Sequence, residues 1–132
     1  MEGAILSESG RILVIDDEIS IRESLCAFLE DYDYQVESAE SAEEALERLR
    51  HEIFDLAIVD MRLSGMSGDI FITKAIRVLP SLRFLIHTGS VEFYLSDELK
   101  RLGIREEHVY LKPLNDLTML AEGVRKRLDE AA

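Results

Sequence analysis

The stretch Asp55-Leu56-Ala57-Ile58-Val59-Asp60 is apolar in four consecutive positions and ends in a carboxylate. A continuous apolar run of this length predicts a strand buried on both faces, as in a parallel sheet covered by helices. A second run, Arg11-Ile12-Leu13-Val14-Ile15, ends in Asp16-Asp17. Two parallel strands that finish in acids bring three carboxylates to one edge of a sheet. Such a cluster repels itself and raises its own pKa values unless a cation sits in it. Its oxygen donors suit Mg²⁺, with Mn²⁺ as an alternative.

The rest of the chain alternates strand and helix around these two runs. Strands are predicted at 11–15, 35–39, 55–60, 83–88 and 108–111, with 35–39 mixed in polarity and therefore an edge strand. Helical spacing of apolar residues marks 19–31 (Ile21, Leu25, Phe28, Leu29), a helix from Ser41, 68–78, 92–102 and 116–130. Ser41-Ala42-Glu43-Glu44 reads as a capping box, Pro80 ends the third helix, and Gly103 ends the fourth. Five β-α units with short connections imply an open α/β sheet in one domain over 11–130, behind a loose tail at 1–10. In such sheets ligands bind outside the carboxyl ends of the strands, at the topological switch point. Asp16, Asp17, Asp60 and Thr88 fall at strand ends, and Lys112 follows the last strand.

Composition narrows the function classes. A chain of 132 residues with 47% apolar content supports one core. No apolar run reaches the roughly 20 residues needed to span a bilayer. The lone cysteine, Cys26, cannot form an internal disulfide, so a cytoplasmic setting is expected, with Cys26 packed in the core. The net charge of −12 argues against direct nucleic-acid binding. Residues 16–47 hold twelve acids and one base, Arg22, which reads as solvated helix faces beside a metal pocket.

A carboxylate can attack phosphorus to form an acyl phosphate. Beyond that, phosphoryl transfer needs mainly positioning and charge stabilisation. The rim offers Asp16 and Asp17 for a metal, Lys112 for positive charge and the Thr88 hydroxyl; Gly89 leaves room for a phosphoryl group. Singly, each has an ordinary explanation as a helix cap, a loop acid, a turn threonine or a surface lysine. Together, at one rim, they point to Asp60 as a nucleophile.

On these residues the chain resembles a response-regulator receiver domain of two-component signalling. The resemblance implies a flavodoxin-like (βα)₅ doubly wound, three-layer sheet with five parallel strands in order 2-1-3-4-5. It implies Mg²⁺-dependent transfer from the phosphohistidine of a sensor kinase or histidine phosphotransfer protein to Asp60. Asp17 would ligate Mg²⁺ directly, Asp16 largely through water, and the backbone carbonyl of Arg62 would add a ligand. Thr88 would close on the phosphate and carry the switch to an unknown downstream effector. The protein would assist its own phosphorylation and dephosphorylation without turning over an external substrate.

Departures from the family pattern concern the switch. In Asp60-Met61-Arg62-Leu63-Ser64-Gly65-Met66-Ser67-Gly68, Ser64 stands where the family has proline. Three residues before Lys112, where the family has an aromatic, stands Val109; Tyr110 is adjacent. Either a bulge presents Tyr110 or the Thr–aromatic coupling is absent, and absence is the expectation. Arg62 and Ser90 occupy positions that tune loss of the phosphoryl group, and Pro113 follows the lysine. His51, His87 and His108 are scattered and predict no three-ligand metal site. An aspartate-nucleophile phosphatase and an FMN binder fit less well: the first strand lacks Asp-x-Asp and no hydroxyl-rich phosphate loop follows it. A pseudo-receiver that only binds partners is the alternative. The chain is read as a stand-alone regulator, a phosphorelay shuttle or a fragment, monomeric or weakly dimeric, with no membrane contact.

Overall fold

The computed structural model describes residues 10–89, 95–114 and 116–130. The predicted tail at 1–10 thus lies, apart from Gly10, outside the described residues, as do Ser90 and the first turn of the predicted fourth helix at 92–94. The strands are β1 (Arg11–Ile15), β2 (Gln35–Ala39), β3 (Leu56–Val59), β4 (Arg83–Thr88) and β5 (Val109–Leu111). The helices are α1 (Ile19–Glu30), α2 (Ala42–His51), α3 (Gly68–Val78), α4 (Asp97–Arg101) and α5 (Thr118–Asp129). All pairings are parallel, in the order β2-β1-β3-β4-β5.

Side-chain alternation sorts the central strands into two cores. Leu13, Ile15, Ala57, Val59, Phe84 and Ile86 face the layer of α2, α3 and α4. Ile12, Val14, Leu56, Ile58 and Leu85 face α1 and α5. Burial on both faces explains why these strands read as unbroken apolar runs, while β2, at the edge, is only half-buried.

Local signals set the helix ends. Ser41 Oγ accepts the Glu44 N–H at 3.1 Å, but the Glu44 carboxylate reaches back to the Glu40 N–H at 2.9 Å, one residue before the position a capping box would use. Helix α4 starts later than its apolar spacing suggested, because Ser96 caps it by accepting the Leu99 N–H. It ends at Gly103, whose φ of +97° suits a residue without Cβ. Strand β3 is one residue shorter at each end than predicted. Asp55 instead turns its carboxylate to the Arg11 N–H at 2.8 Å, and Asp60 leaves the strand for the rim. The predicted start of β5 at His108 is a 3₁₀ turn over Glu106–His108.

Candidate functional site

The order of the sheet reverses between β1 and β3, so the chain leaves these adjacent strands toward opposite sides and opens a crevice beyond them. Asp16 and Asp60 stand at its lip. Both are tied into the sheet's last rungs: the Asp16 N–H donates to Ala39 C=O at 3.2 Å and the Asp60 N–H to Ile15 C=O at 3.0 Å. Both are buried, at 2% and 5% exposure, whereas Asp17 is exposed. Each of the three acids offers a carboxylate oxygen within 4.8 Å of the others.

Lys112 occupies the centre of this cluster. Its Nζ lies 2.7 Å from Asp16 Oδ2, 3.1 Å from Asp60 Oδ2 and 3.3 Å from Glu18 Oε1. The backbone also holds it in place, its N–H donating to Thr88 C=O at 2.8 Å. Burial pulls the lysine pKa down, but Asp16 and Asp60 outweigh it and the pKa stands raised. Burial pushes the Asp16 carboxyl up, and the Lys112 and Glu18 N–H hydrogen bonds only partly offset this. One ammonium therefore leaves Asp16 under-compensated, as expected of a rim suited to a further cation. The remaining Asp60 oxygen, Oδ1, accepts the Arg62 N–H at 3.1 Å.

The loop after Asp60 folds back on itself. The Gly68 N–H donates to Met61 C=O, and a Cβ at Gly68 would stand 2.5 Å from Met61 Sδ and 2.8 Å from Met61 Cα. Glycine at the start of α3 thus lets this loop close beside Asp60 although Ser64 replaces proline. Thr88 ends β4 fully buried. At Gly89 an added Cβ would meet only Lys112, at 3.8 Å, so contact with the protein does not require glycine there. Pro113 is exposed beside the lysine.

The two expected switch positions separate. Strand β5 runs in register without a bulge: Val109 opposite Ile86, Tyr110 opposite His87, Leu111 opposite Thr88. Val109 packs with the α2–α4 core and Tyr110 with the α1–α5 core. Tyr110 is therefore not presented toward Thr88.

Two histidines carry more than the sequence indicated. His87 is 4% exposed, and neither ring nitrogen has a hydrogen-bond partner. Burial, then the nearby Lys112, lower its pKa to about 4. His108 is buried between Glu107 and Glu130, a three-ligand grouping that the scattered histidines did not predict. Its chemistry is that of an ion-pair knot. His108 Nδ1 accepts the Arg105 N–H at 3.0 Å, so Nε2 carries the proton of the neutral ring and has no lone pair for a metal. Arg105 pairs with Glu107 and Glu130, and Arg127 with Glu130. Burial, then Arg127, lower the His108 pKa. The approach of Glu130, just beyond the end of α5, is a contact no local pattern encodes.

Fold and rim together define the class: an α/β sheet with buried acids and a lysine at its switch point. The family profile of the response regulator receiver domain matches residues 12–122, and the chain belongs to that family of two-component signalling switches. It is 36% identical over 105 residues to the transcriptional regulatory protein ZraR of Escherichia coli (strain K12), covering 79% of this chain and 23% of that protein. It is 29% identical over 114 residues to the uncharacterized transcriptional regulatory protein YesN of Bacillus subtilis (strain 168), covering 84% of this chain and 30% of that one. The chain thus spans under a third of the length of these curated relatives. Among solved structures, a CheY-like response regulator receiver domain protein from Methanospirillum hungatei JF-1 superposes with a TM-score of 0.76 at 31% identity, covering 91% of this chain and 94% of that one. The response regulator TrrA from Thermotoga maritima, solved in complex with Mg²⁺–BeF, gives 0.76 at 27% identity over 89% and 97%.

Proposed function

We propose that this receiver domain, over residues 11–130, accepts a phosphoryl group on Asp60 from a phosphohistidine of a sensor kinase or a histidine phosphotransfer protein. The observation that carries the reading is Lys112 Nζ lying between the buried Asp60 and Asp16 carboxylates, at 3.1 and 2.7 Å. An Asp60 carboxylate oxygen forms the new O–P bond as the donor's P–N bond breaks. The electron pair of that bond returns to the imidazole nitrogen, which takes a proton from solvent. The Lys112 ammonium stays near the transferred oxygens and offsets their charge, and the buried Thr88 hydroxyl lies at the same strand ends.

Three carboxylates fit a hard divalent cation, and Asp16, held up by burial despite its lysine, gains from one. Asp16, Asp17, Asp60 and the Arg62 carbonyl would hold Mg²⁺, or Mn²⁺, which when bound neutralises charge on the phosphoryl oxygens. TrrA, solved with Mg²⁺–BeF, supports this assignment. Arg62, exposed two residues beyond Asp60, and Ser90 would tune the lifetime of the acyl phosphate. Phosphorylation adds about −1.5 to −2 charge at the rim and biases the surface of β4 and β5 toward an effector.

No helix among the described residues is long and apolar enough to cross a membrane. With its single cysteine, the chain is assigned to the cytoplasm, as a monomer or weak dimer. Because the relatives are transcriptional regulatory proteins much longer than this chain, the charge argument against nucleic acid is confined to these residues. Incubation with phosphoramidate and Mg²⁺ tests the proposal. The chain gains the mass of one phosphoryl group, and Asp60→Asn gains none. An unmodified wild-type chain would indicate a pseudo-receiver that works only by binding partners.

A further inference from the structure

The tip of Tyr110 sits against bare helix backbone. A Cβ built on Gly123, in the middle of α5, would stand 2.0 Å from Tyr110 Oη and 2.8 Å from Cζ. Only glycine admits the ring in this position. Glycine inside a helix is unfavourable, so α5 sacrifices local stability for the contact. On the other face of β5, Val109 offers neither ring nor hydroxyl. His87 stands opposite Tyr110, buried and without a hydrogen-bond partner, and it lines one groove together with Lys112.

We propose that modification of Asp60 is read out on the α5 side of the sheet, through Lys112, His87, Tyr110 and Gly123, rather than by an aromatic ring moving toward Thr88. The inference rests on the phosphoacceptor reading and adds the direction of its output. Lys112 is the coupling element. Its ammonium bridges Asp16 and Asp60, and new anionic oxygens on Asp60 compete with Asp16 for it. Its main chain is bonded to the end of β4, so a shift of the lysine carries the β4–β5 rung with it. His87 and Tyr110 form the adjacent rung and share one face. The tyrosine tip has no slack against α5, so displacement of the rung moves the helix at its glycine, where it is intrinsically weakest. Discrete packing of this kind supplies the two-state element that coupling between separate places requires.

The test uses the whole chain with Mg²⁺ and beryllofluoride as the phosphoryl mimic, read by residue-resolved amide hydrogen exchange. In the wild type, amides of Thr118–Asp129 change exchange rate roughly fivefold or more. In Tyr110→Leu the α5 response falls below roughly twofold, while the amides of Met61 and Arg62 respond as in the wild type. Gly123→Ala displaces the same ring and gives the same loss, so the test stands if one variant fails to fold. Equal α5 responses in all three proteins, or wild-type responses confined to Thr88, Val109 and α4, overturn the inference. A wild-type chain silent even at Met61 and Arg62 overturns the phosphoacceptor reading and this inference with it.

Discussion

His87 couples folding to pH, and His87→Leu isolates the effect. The imidazole titrates at about 4 in the folded chain against 6.5 when unperturbed, because burial and Lys112 disfavour its charged form. The unfolded chain therefore binds a proton first as pH falls. The stability contributed by the neutral ring is complete above 6.5 and is lost progressively toward 4. Linkage puts the loss at about 2 kcal/mol between about pH 7.5 and pH 5, approaching about 3 kcal/mol below the folded pKa. Leucine has similar bulk and no proton to bind. It also removes two buried ring nitrogens without partners, so at neutral pH the variant is more stable than the wild type by roughly 1 kcal/mol or more. Urea denaturation across the pH range measures both effects. His108, also lowered, and the carboxylates titrate in both proteins and cancel in the difference. Parallel loss of stability in wild type and variant from about pH 7.5 to pH 5 would show that His87 does not carry this pH dependence.

Other perturbations test the site and its supports. Adding Mg²⁺ raises the melting temperature of the wild type, and Asp17→Ala abolishes the rise; equal melting of the wild type with and without Mg²⁺ counts against the metal assignment. Lys112→Met leaves Asp16 and Asp60 buried without their cation and costs about 3 kcal/mol at neutral pH without metal, read by urea titration. Gly68→Ala forces a methyl group into Met61 and lowers stability by about 1–3 kcal/mol, whereas a neutral outcome would mean the loop beside Asp60 yields easily. Ser41→Ala removes the cap of α2 and costs about 1 kcal/mol by the same measurement.

The parts of the structure that sequence reveals are those fixed by local pattern. The runs ending in Asp16 and Asp60 are legible because a strand buried on both faces must be apolar throughout, and parallel connectivity places both acids at one edge. The order of the strands came from the resemblance, since periodicity says nothing of which strands are neighbours. What stayed hidden depends on partners distant in the chain. Nothing near Gly123 shows that a helix glycine accommodates Tyr110. Nothing near Arg11 shows that its guanidinium lies over the Phe54 ring at 4.4 Å while also pairing with Glu37 and Glu52. The alternation of β5 puts Tyr110 on the other face from Val109 but leaves a bulge open, and only the register shows that no bulge intervenes. The role of Lys112 was visible only in outline: its position after β5 placed it at the rim, but not between Asp16 and Asp60 as their internal counter-ion.

In the proposed function Asp60, and no other acid at this rim, takes the phosphoryl group. Borohydride reduction of the phosphoramidate-treated chain converts an aspartyl phosphate to homoserine, and peptide mass spectrometry then locates it. Homoserine is expected at position 60 alone, formed only when Mg²⁺ is present and lost if hydroxylamine precedes the reduction. Homoserine at Asp16 or Asp17, or a phosphoryl group that survives hydroxylamine on a serine, threonine or histidine, would contradict it.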